Sequence, residues 1–287
     1  MSVRDERALF TGETLQALAE TAQDILQDAL NGCAQDCKGF HGSWPFTQLF
    51  NLLPTTLRDK EFIADQTAAA VGAGARKLVI SGAADDGILK AMLSKLPSPP
   101  SDLAVHVIDL CDTPLKANVR TAKRLGVNLS IAKADLRAGL NVKADVIVAH
   151  NLLPFSSPED KQVVVQAWAD ALSSGGLLCA VNRIKPMAAY GAPRFPLAVH
   201  DEMVQRILDL QSISPYRDLI PPELLAGLFR EALETSKMWY FRSKDEVITL
   251  LEAAAFRILG THTYSRRGEV PSHMPDNETI RISAVRS

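Results

Sequence analysis

The stretch Lys77-Leu-Val-Ile-Ser-Gly-Ala-Ala-Asp-Asp-Gly-Ile-Leu89 decides the fold. Its apolar run, Leu78-Val79-Ile80, stops at small residues, and a helix-compatible pattern restarts from Gly87. That order predicts a buried strand, a tight turn, and a helix whose first amide groups point outward. About 20 residues on, the spacing of a nucleotide-binding unit, a second apolar run from Ala104 to Ile108 ends at Asp109. A small-residue loop followed by an acid at the tip of the next strand is how a parallel α/β sheet holds an adenosine ribose.

Outward from this unit, strands and helices alternate. Strands are predicted at Lys77–Ser81, Ala104–Asp109, Val127–Lys133, Ala144–Ala149 and Leu177–Asn182, with helices at about Gly87–Leu96, Pro114–Leu125 and Pro158–Leu172. Continuous apolar strands alternating with helices imply a parallel sheet covered on both faces. Ser173-Ser-Gly-Gly176 reads as a helix stop and a turn into the fifth strand.

Upstream, Leu15, Leu18, Ala22, Ile25, Leu26 and Ala29 fall on one helical face. Cys33 to Trp44 reads as irregular, Pro45 opens a helix through Leu53, and Arg58 to Val71 forms another. The first 75 residues are therefore expected to form a helical cap.

After Asn182 the alternation breaks. Pro186 to Pro196 reads as loop, and Leu197–Leu210 and Pro222–Leu233 as inserted helices. A helix at Lys244–Ala255 and strands at Arg257–Tyr264 and Thr279–Val285 complete the sheet, the Arg266 to Asn277 hairpin returning the last strand antiparallel. The expected division is cap 1–75, core 76–185, helical insertion 186–243 serving as a substrate lid, and completion of the sheet over 244–287.

Composition narrows the function classes. The 287 residues are 47% apolar and 22% charged, with a formal net charge of −2, an ordinary globular balance. No basic excess speaks for nucleic acid or an anionic membrane. The charged N-terminus, Met1 to Arg7, leads into no apolar segment, so no secretory signal is expected, and no run approaches the roughly 20 apolar residues of a membrane span. Four scattered cysteines, Cys33, Cys37, Cys111 and Cys179, fit reduced thiols in a cytoplasm better than a disulfide framework.

The motifs together resemble the class I S-adenosylmethionine-dependent methyltransferases. The matching residues are Val79–Gly87, Asp109, Ala134-Asp135-Leu136, and Asp145 to Phe155 around the fourth strand. Leu172-Ser-Ser-Gly-Gly-Leu-Leu178 is similar to the family's Leu-x-Pro-Gly-Gly-x-Leu turn, and Leu250-Leu-Glu-Ala-Ala-Ala-Phe256 to its Leu-Leu-x-x-Ala-Gly-Phe helix end. The resemblance covers about Lys77 to Ile184 and Lys244 to the C-terminus. It implies a Rossmann-like α/β fold: a seven-stranded, mostly parallel sheet with helices on both faces. It also implies S-adenosylmethionine as cofactor, held by Ser81, Gly82, Ala83, Asp85, Gly87, Asp109, Leu110, Asp135, Leu136, His150 and Asn151.

The first motif departs from the family's acid-x-Gly-x-Gly-x-Gly. Ser81 replaces the acid, Ala83 the first glycine and Asp85 the second, while Gly87 stays in register. Serine offers the cofactor's ammonium only a neutral hydrogen bond, weaker than a charge-assisted one. Asp85 or Asp86 is the candidate replacement.

Other candidates are set against plainer roles. Asp109 is read as the ribose acid rather than a helix cap, a role Asp112 or Thr113 fills better. Asp135 is read at the adenine, against an ordinary turn acid. His150, at the ligand-binding edge of the fourth strand, is a candidate general base, with a cofactor-loop or bystander role as the alternatives. His41 is a second candidate base, and Trp44 a substrate contact, within the aromatic run Phe40 to Phe46. Plain packing of cap on core is the commoner role for such a run. Tyr216, Arg217 and Tyr240 are further substrate candidates; Arg217 could hold a carboxylate, although aromatic runs are more often core. Cys33-x-x-x-Cys37 with His41 is a partial zinc set. A structural site takes four ligands and no fourth lies nearby in the sequence, so no metal is expected.

The expected activity is methyl transfer to an O or N atom of a small molecule, with no nucleic-acid or membrane partner. A homodimer is left open. Two other readings compete: a methyltransferase-fold protein acting as a binding or regulatory subunit, favoured by the degenerate first motif, and, ranked last, a nicotinamide-dependent oxidoreductase, for which the turn lacks Gly-x-Gly-x-x-Gly.

Overall fold

The apolar run at Ile80 becomes the strand around which a seven-stranded sheet is ordered. The structure, a computed structural model, describes residues 12–52, 56–186, 192–193, 195–265 and 278–287. Three helices come first: α1 (Gly12–Gly32), α2 (Gln35–Leu49) and α3 (Thr56–Gly72). The alternating segment follows as β1 (Lys77–Ser81), α4 (Gly87–Leu93), β2 (Ala104–Asp109), α5 (Asp112–Leu125), β3 (Asn128–Lys133), β4 (Ala144–His150), α6 (Pro158–Ala171) and β5 (Leu172–Ile184). Then come β6 (Ala192–Pro193), α7 (His200–Ser212), α8 (Pro222–Thr235), β7 (Lys237–Met238), α9 (Lys244–Ala253), β8 (Phe256–Ser265) and β9 (Glu278–Arg286).

The sheet order is β3-β2-β1-β4-β5-β9-β8. β1 to β5 pair in parallel, and β9 is inserted antiparallel between β5 and β8. This is the Rossmann-like, mostly parallel sheet expected from the sequence. The chain order reverses between β1 and β4, so the carboxyl ends of β1, β2 and β4 border the crevice where open α/β sheets bind ligands. The hairpin predicted over Arg266 to Asn277 lies outside the described residues.

Alternation along the strands builds two cores. Leu78, Ile80, Val105, Val107, Val146 and Val148 pack against Ile63 of α3 and Leu89 and Met92 of α4. Val79, Ile147 and Ala149 face the other way, onto Trp168 of α6 and Leu251 of α9. A third core is mostly helical. Ala22, Leu26, Phe46 and Phe50 pack with Met203, Ile207, Leu225 and Phe229, so α1 and α2 share one interior with α7 and α8. α3, read from sequence as part of the cap, packs instead on the sheet.

Two local expectations are corrected. The segment read as irregular from Cys33 to Trp44 is mostly helix, and Pro45 lies inside α2 rather than opening a helix. Gly39 and Gly42 depress helix propensity, but packing overrides it. A Cβ on Gly39 would come within 2.7 Å of the Leu228 carbonyl oxygen and Glu231 Cβ, and one on Gly42 within 3.1 Å of Leu228. The glycines let α2 and α8 approach closely. Ser173 to Gly176 belongs to β5 rather than a separate turn. The extra residues are taken up as an irregularity opposite Ala144–Val146, with Gly175 at φ +75°.

Gly39→Ala is expected to destabilise the protein by about 1–3 kcal/mol, the cost of overpacking. Gly227→Ala, on exposed α8 surface with nothing within 4 Å of the new methyl, is expected to stabilise by up to about 1 kcal/mol. Urea unfolding of both variants checks the pair; an unchanged Gly39→Ala would contradict the close approach.

Candidate active site

Ser81 ends β1 fully buried, where its hydroxyl oxygen accepts the Trp168 indole N–H at 2.7 Å. The serine standing where the family has an acid thus serves the core, and its oxygen is not open to a ligand as a carboxylate would be. Gly82 follows at φ +72°, and a Cβ there would meet Leu152 at 2.6 Å. Only glycine fits this turn. Its N–H donates to the Ile108 carbonyl at 2.9 Å, which holds the loop beside β2.

Asp109 projects from the end of β2 into the same loop. One carboxylate oxygen accepts the Ala83 N–H at 2.9 Å and the other the Cys111 N–H at 2.7 Å. Burial pushes its carboxyl above the usual carboxylate value, against the pull of those amides. A carboxylate offers about four lone-pair sites, so two amides leave capacity for a diol. Leu110, next in sequence, is 64% exposed.

α2 closes over these loops. Asp85 accepts hydrogen bonds from the Trp44 indole at 3.0 Å, from the Gln48 amide, and from the Gly87 N–H at 2.7 Å. Burial and the neighbouring Asp86 raise its carboxyl above the usual range. Asp86 in turn accepts from Thr121 at 2.5 Å and pairs with Lys90 at 2.9 Å. Asn118 of α5 pins the backbone here, donating to the Asp85 carbonyl at 3.0 Å. The two aspartates that could have supplied a free carboxylate therefore tie the cap and α5 to the loop. Trp44 contacts Asp85, and Phe40 meets Phe155 edge-on at 5.9 Å.

At the end of β4, His150 Nε2 lies 2.9 Å from Asp59 Oδ2. Asp59, on the first turn of α3, is also reached by Arg281 Nε at 2.6 Å and the Tyr264 hydroxyl at 3.0 Å. Burial raises the Asp59 carboxyl, but His150 and Arg281 outweigh it and hold the carboxyl below its ordinary value. An ionised Asp59 accepts, so His150 Nε2 carries the donated hydrogen, and Nδ1 is the basic nitrogen. Among the described residues, the Asn151 amide approaches Nδ1, at 3.4 Å. Asn151 itself sits at φ +54°, and its side-chain oxygen is buried with no hydrogen-bond partner among the described residues. Asp59 went unnoticed in the sequence because Leu-Arg-Asp-Lys-Glu reads as a solvated helix face.

His41 lies away from this dyad. It is buried, with Nδ1 3.4 Å from Cys33 Sγ. Cys111, from the loop after β2, completes a group with Cys33, Cys37 and His41 whose ligand atoms all lie within 4.8 Å of one another. The fourth donor missing from the local sequence is therefore present in space. Cys33 is held protonated chiefly by its contact with Cys111, and that same contact pulls Cys111 below the usual thiol value. Burial opposes protonation of His41, but hydrogen bonds to Cys111 and Cys37 raise it to about 9.

The remaining candidates divide. Leu136 is buried beneath the loop after β3, while the Asp135 carboxylate is engaged by Arg137 at 2.6 Å. Tyr240 is buried with the Lys185 ammonium 4.1 Å from its ring centre, just past the end of β5. Tyr216 packs against the helical core, and Arg217 is 63% exposed beside Asp218, so neither joins the groups at the strand ends. A cavity of about 1460 Å³ lies elsewhere, bordered by Gln166 of α6 and Thr249 of α9.

The fold matches solved methyltransferases. The chain is similar to an O-methyltransferase family protein from Burkholderia thailandensis, at 14% identity over 96% of this chain and 70% of that one, TM-score 0.51. It is similar to a Galdieria sulphuraria protein described as a sarcosine dimethylglycine methyltransferase, at 14% identity over 81% and 86%, TM-score 0.51. It also matches the pyocyanin biosynthetic protein PhzM at 14% identity and TM-score 0.50, over 86% of this chain and 58% of PhzM. No family model matches the chain, and no curated protein does. Among the described residues no helix is long and apolar enough to cross a membrane.

The Asp59 network has an expected pH signature. Its folded carboxyl titrates below the unfolded one, so its stabilisation is full above the unfolded value of about 3.9 and is lost as pH falls through the lower folded value. Asp59→Asn is expected to cost about 3 kcal/mol at neutral pH by stranding Arg281. The gap from the parent should shrink steadily at acid pH. Equal urea midpoints at pH 7 would contradict the network.

Proposed function

We propose that the chain is an S-adenosylmethionine-dependent methyltransferase that methylates an O or N atom of a small molecule, with His150 as the base. The observation that carries this reading is the His150–Asp59 hydrogen bond at the carboxyl end of β4, within a fold of methyltransferase strand order. The residues fit the adenosine half of the cofactor. Asp109 has acceptor capacity left for the ribose hydroxyls, and the Gly82 turn keeps the first loop low. Leu110 offers apolar surface beside it. At the other end Ser81 and Asp85 are engaged, and the Asn151 oxygen, without a hydrogen-bond partner among the described residues, is the acceptor that supports binding of a donor such as the ammonium.

When bound, the cofactor supplies a methyl group on a sulfonium, which needs alignment more than covalent assistance. The protein's own tasks are then to orient the acceptor, exclude water, and take a proton. Asp59 fixes the His150 ring with Nδ1 as acceptor, and Arg281 shares the Asp59 carboxylate. An O–H or N–H acceptor passes its proton to Nδ1. A positioned base contributes roughly 10²–10⁴ in rate. The cap, joined to the cofactor loop through Trp44, Gln48 and Asp85, supports exclusion of water.

Isothermal titration is expected to show micromolar binding of S-adenosylmethionine and S-adenosylhomocysteine and none of NAD. Asp109→Ala should weaken both at least about tenfold, the worth of a hydrogen bond to a charged group, while His150→Gln should leave binding intact. Unchanged affinity in Asp109→Ala, or selective NAD binding, would overturn the assignment.

A further inference from the structure

We propose that Cys33, Cys37, His41 and Cys111 form a structural zinc site that fastens the helical cap to the cofactor-side edge of the sheet. The four residues come from two distant segments. Cys33 follows α1, Cys37 and His41 lie four residues apart on one face of α2, and Cys111 immediately precedes α5, at the tip of β2. Cys33 Sγ lies 3.3 Å from Cys111 Sγ and 3.4 Å from His41 Nδ1, and Cys37 Sγ lies 3.9 Å from Cys111 Sγ. Zinc with Zn–S of about 2.3 Å and Zn–N of about 2.0 Å places neighbouring ligand atoms of a tetrahedron about 3.5–3.8 Å apart. These three edges bracket that range, and all four ligand atoms lie within 4.8 Å of one another. They are far from the roughly 2.05 Å of a disulfide, and all four cysteines are free.

The donor chemistry selects the metal. Three sulfurs and one imidazole in a tetrahedral arrangement suit zinc rather than calcium or magnesium, which take oxygen. Four protein ligands leave no open position, so the site is structural rather than catalytic. The surroundings supply outer support. Thr113 Oγ1 lies 3.2 Å from Cys33 Sγ, placed to donate to a thiolate, and Cys111 opens α5, where the helix N-terminus favours an anion. His41 and Cys111 are buried and Cys33 and Cys37 half-buried, which leaves a route for the ion. Metal at this point would cross-link α2 to the loop after β2, beside the other cap contact at Asp85.

The test is the metal content of the full chain, purified without chelator, together with cobalt(II) titration of the metal-free reduced protein. About one zinc per chain is expected. Cobalt should give the intense visible absorption of tetrahedral thiolate coordination, bleached by added zinc. Cys37→Ser and Cys111→Ser should each lose most of the zinc, and Cys179→Ser, in the sheet interior, should keep it. The cobalt titration uses the unaltered chain, so a variant that misfolds does not shield the proposal. Zinc-free protein that takes up no cobalt, a Cys33–Cys111 disulfide in the fresh protein, or full zinc retention in both loss variants would overturn it. None of these readouts depends on cofactor binding.

Discussion

Asp59 is a nearly enclosed carboxylate met by His150, Arg281 and Tyr264, which come from β4, β9 and β8. A buried carboxylate persists only when paired and hydrogen-bonded, and these partners make it so. The same contacts hold α3 against the end of the sheet, tie the antiparallel pair β8–β9 to the parallel core, and fix the ring of the one histidine at the ligand-binding edge of β4. Removing any partner strands a charge or a donor, so the site and the closure of the sheet depend on one group. Arg281 also lies over Tyr264, 4.6 Å from its ring centre, which keeps the guanidinium aimed at the carboxylate.

The cap depends on a second buried acid. Asp85 receives Trp44 and Gln48 from α2 while holding the first amide of α4. α2 is therefore anchored on the loop after β1 at one end and beside Cys111 at the other. Its opposite face packs on α8 through Gly39 and Gly42. One helix connects the cofactor-side loops to the helical core shared by α1, α7 and α8, and a shift in that core would be felt at Asp85.

The sheet was legible because its strands are continuous apolar runs broken by small residues and turns. Leu78 to Ile80, Val105 to Ile108 and Val146 to Ala149 each read directly. The place of Asp109 at the tip of β2 was legible as well, since the apolar run ends there. α2 was not: two glycines and a proline lower local helix propensity, and the compensation comes from α8, nearly two hundred residues away. Asp59 was hidden for a related reason, because its charged neighbours look solvated and only the fold buries it. Ser81 read as a weakened cofactor contact, whereas its hydroxyl satisfies the Trp168 indole across the sheet. The thiol group needed Cys111, more than seventy residues from Cys37, so spacing alone gave three of four donors. The union of cap and insertion helices in one core is likewise a matter of long-range packing that periodicity does not carry.

The account places the adenosyl group at the carboxyl ends of β1, β2 and β4, with the methyl side toward His150. The crystal structure of the complex with S-adenosylhomocysteine tests this most directly. The account predicts ribose hydroxyls on the Asp109 carboxylate, the ring beside Leu110, and the sulfur on the His150 side of the crevice. A ligand lodged instead in the cavity between α6 and α9, or one with no contact to Asp109, would contradict it.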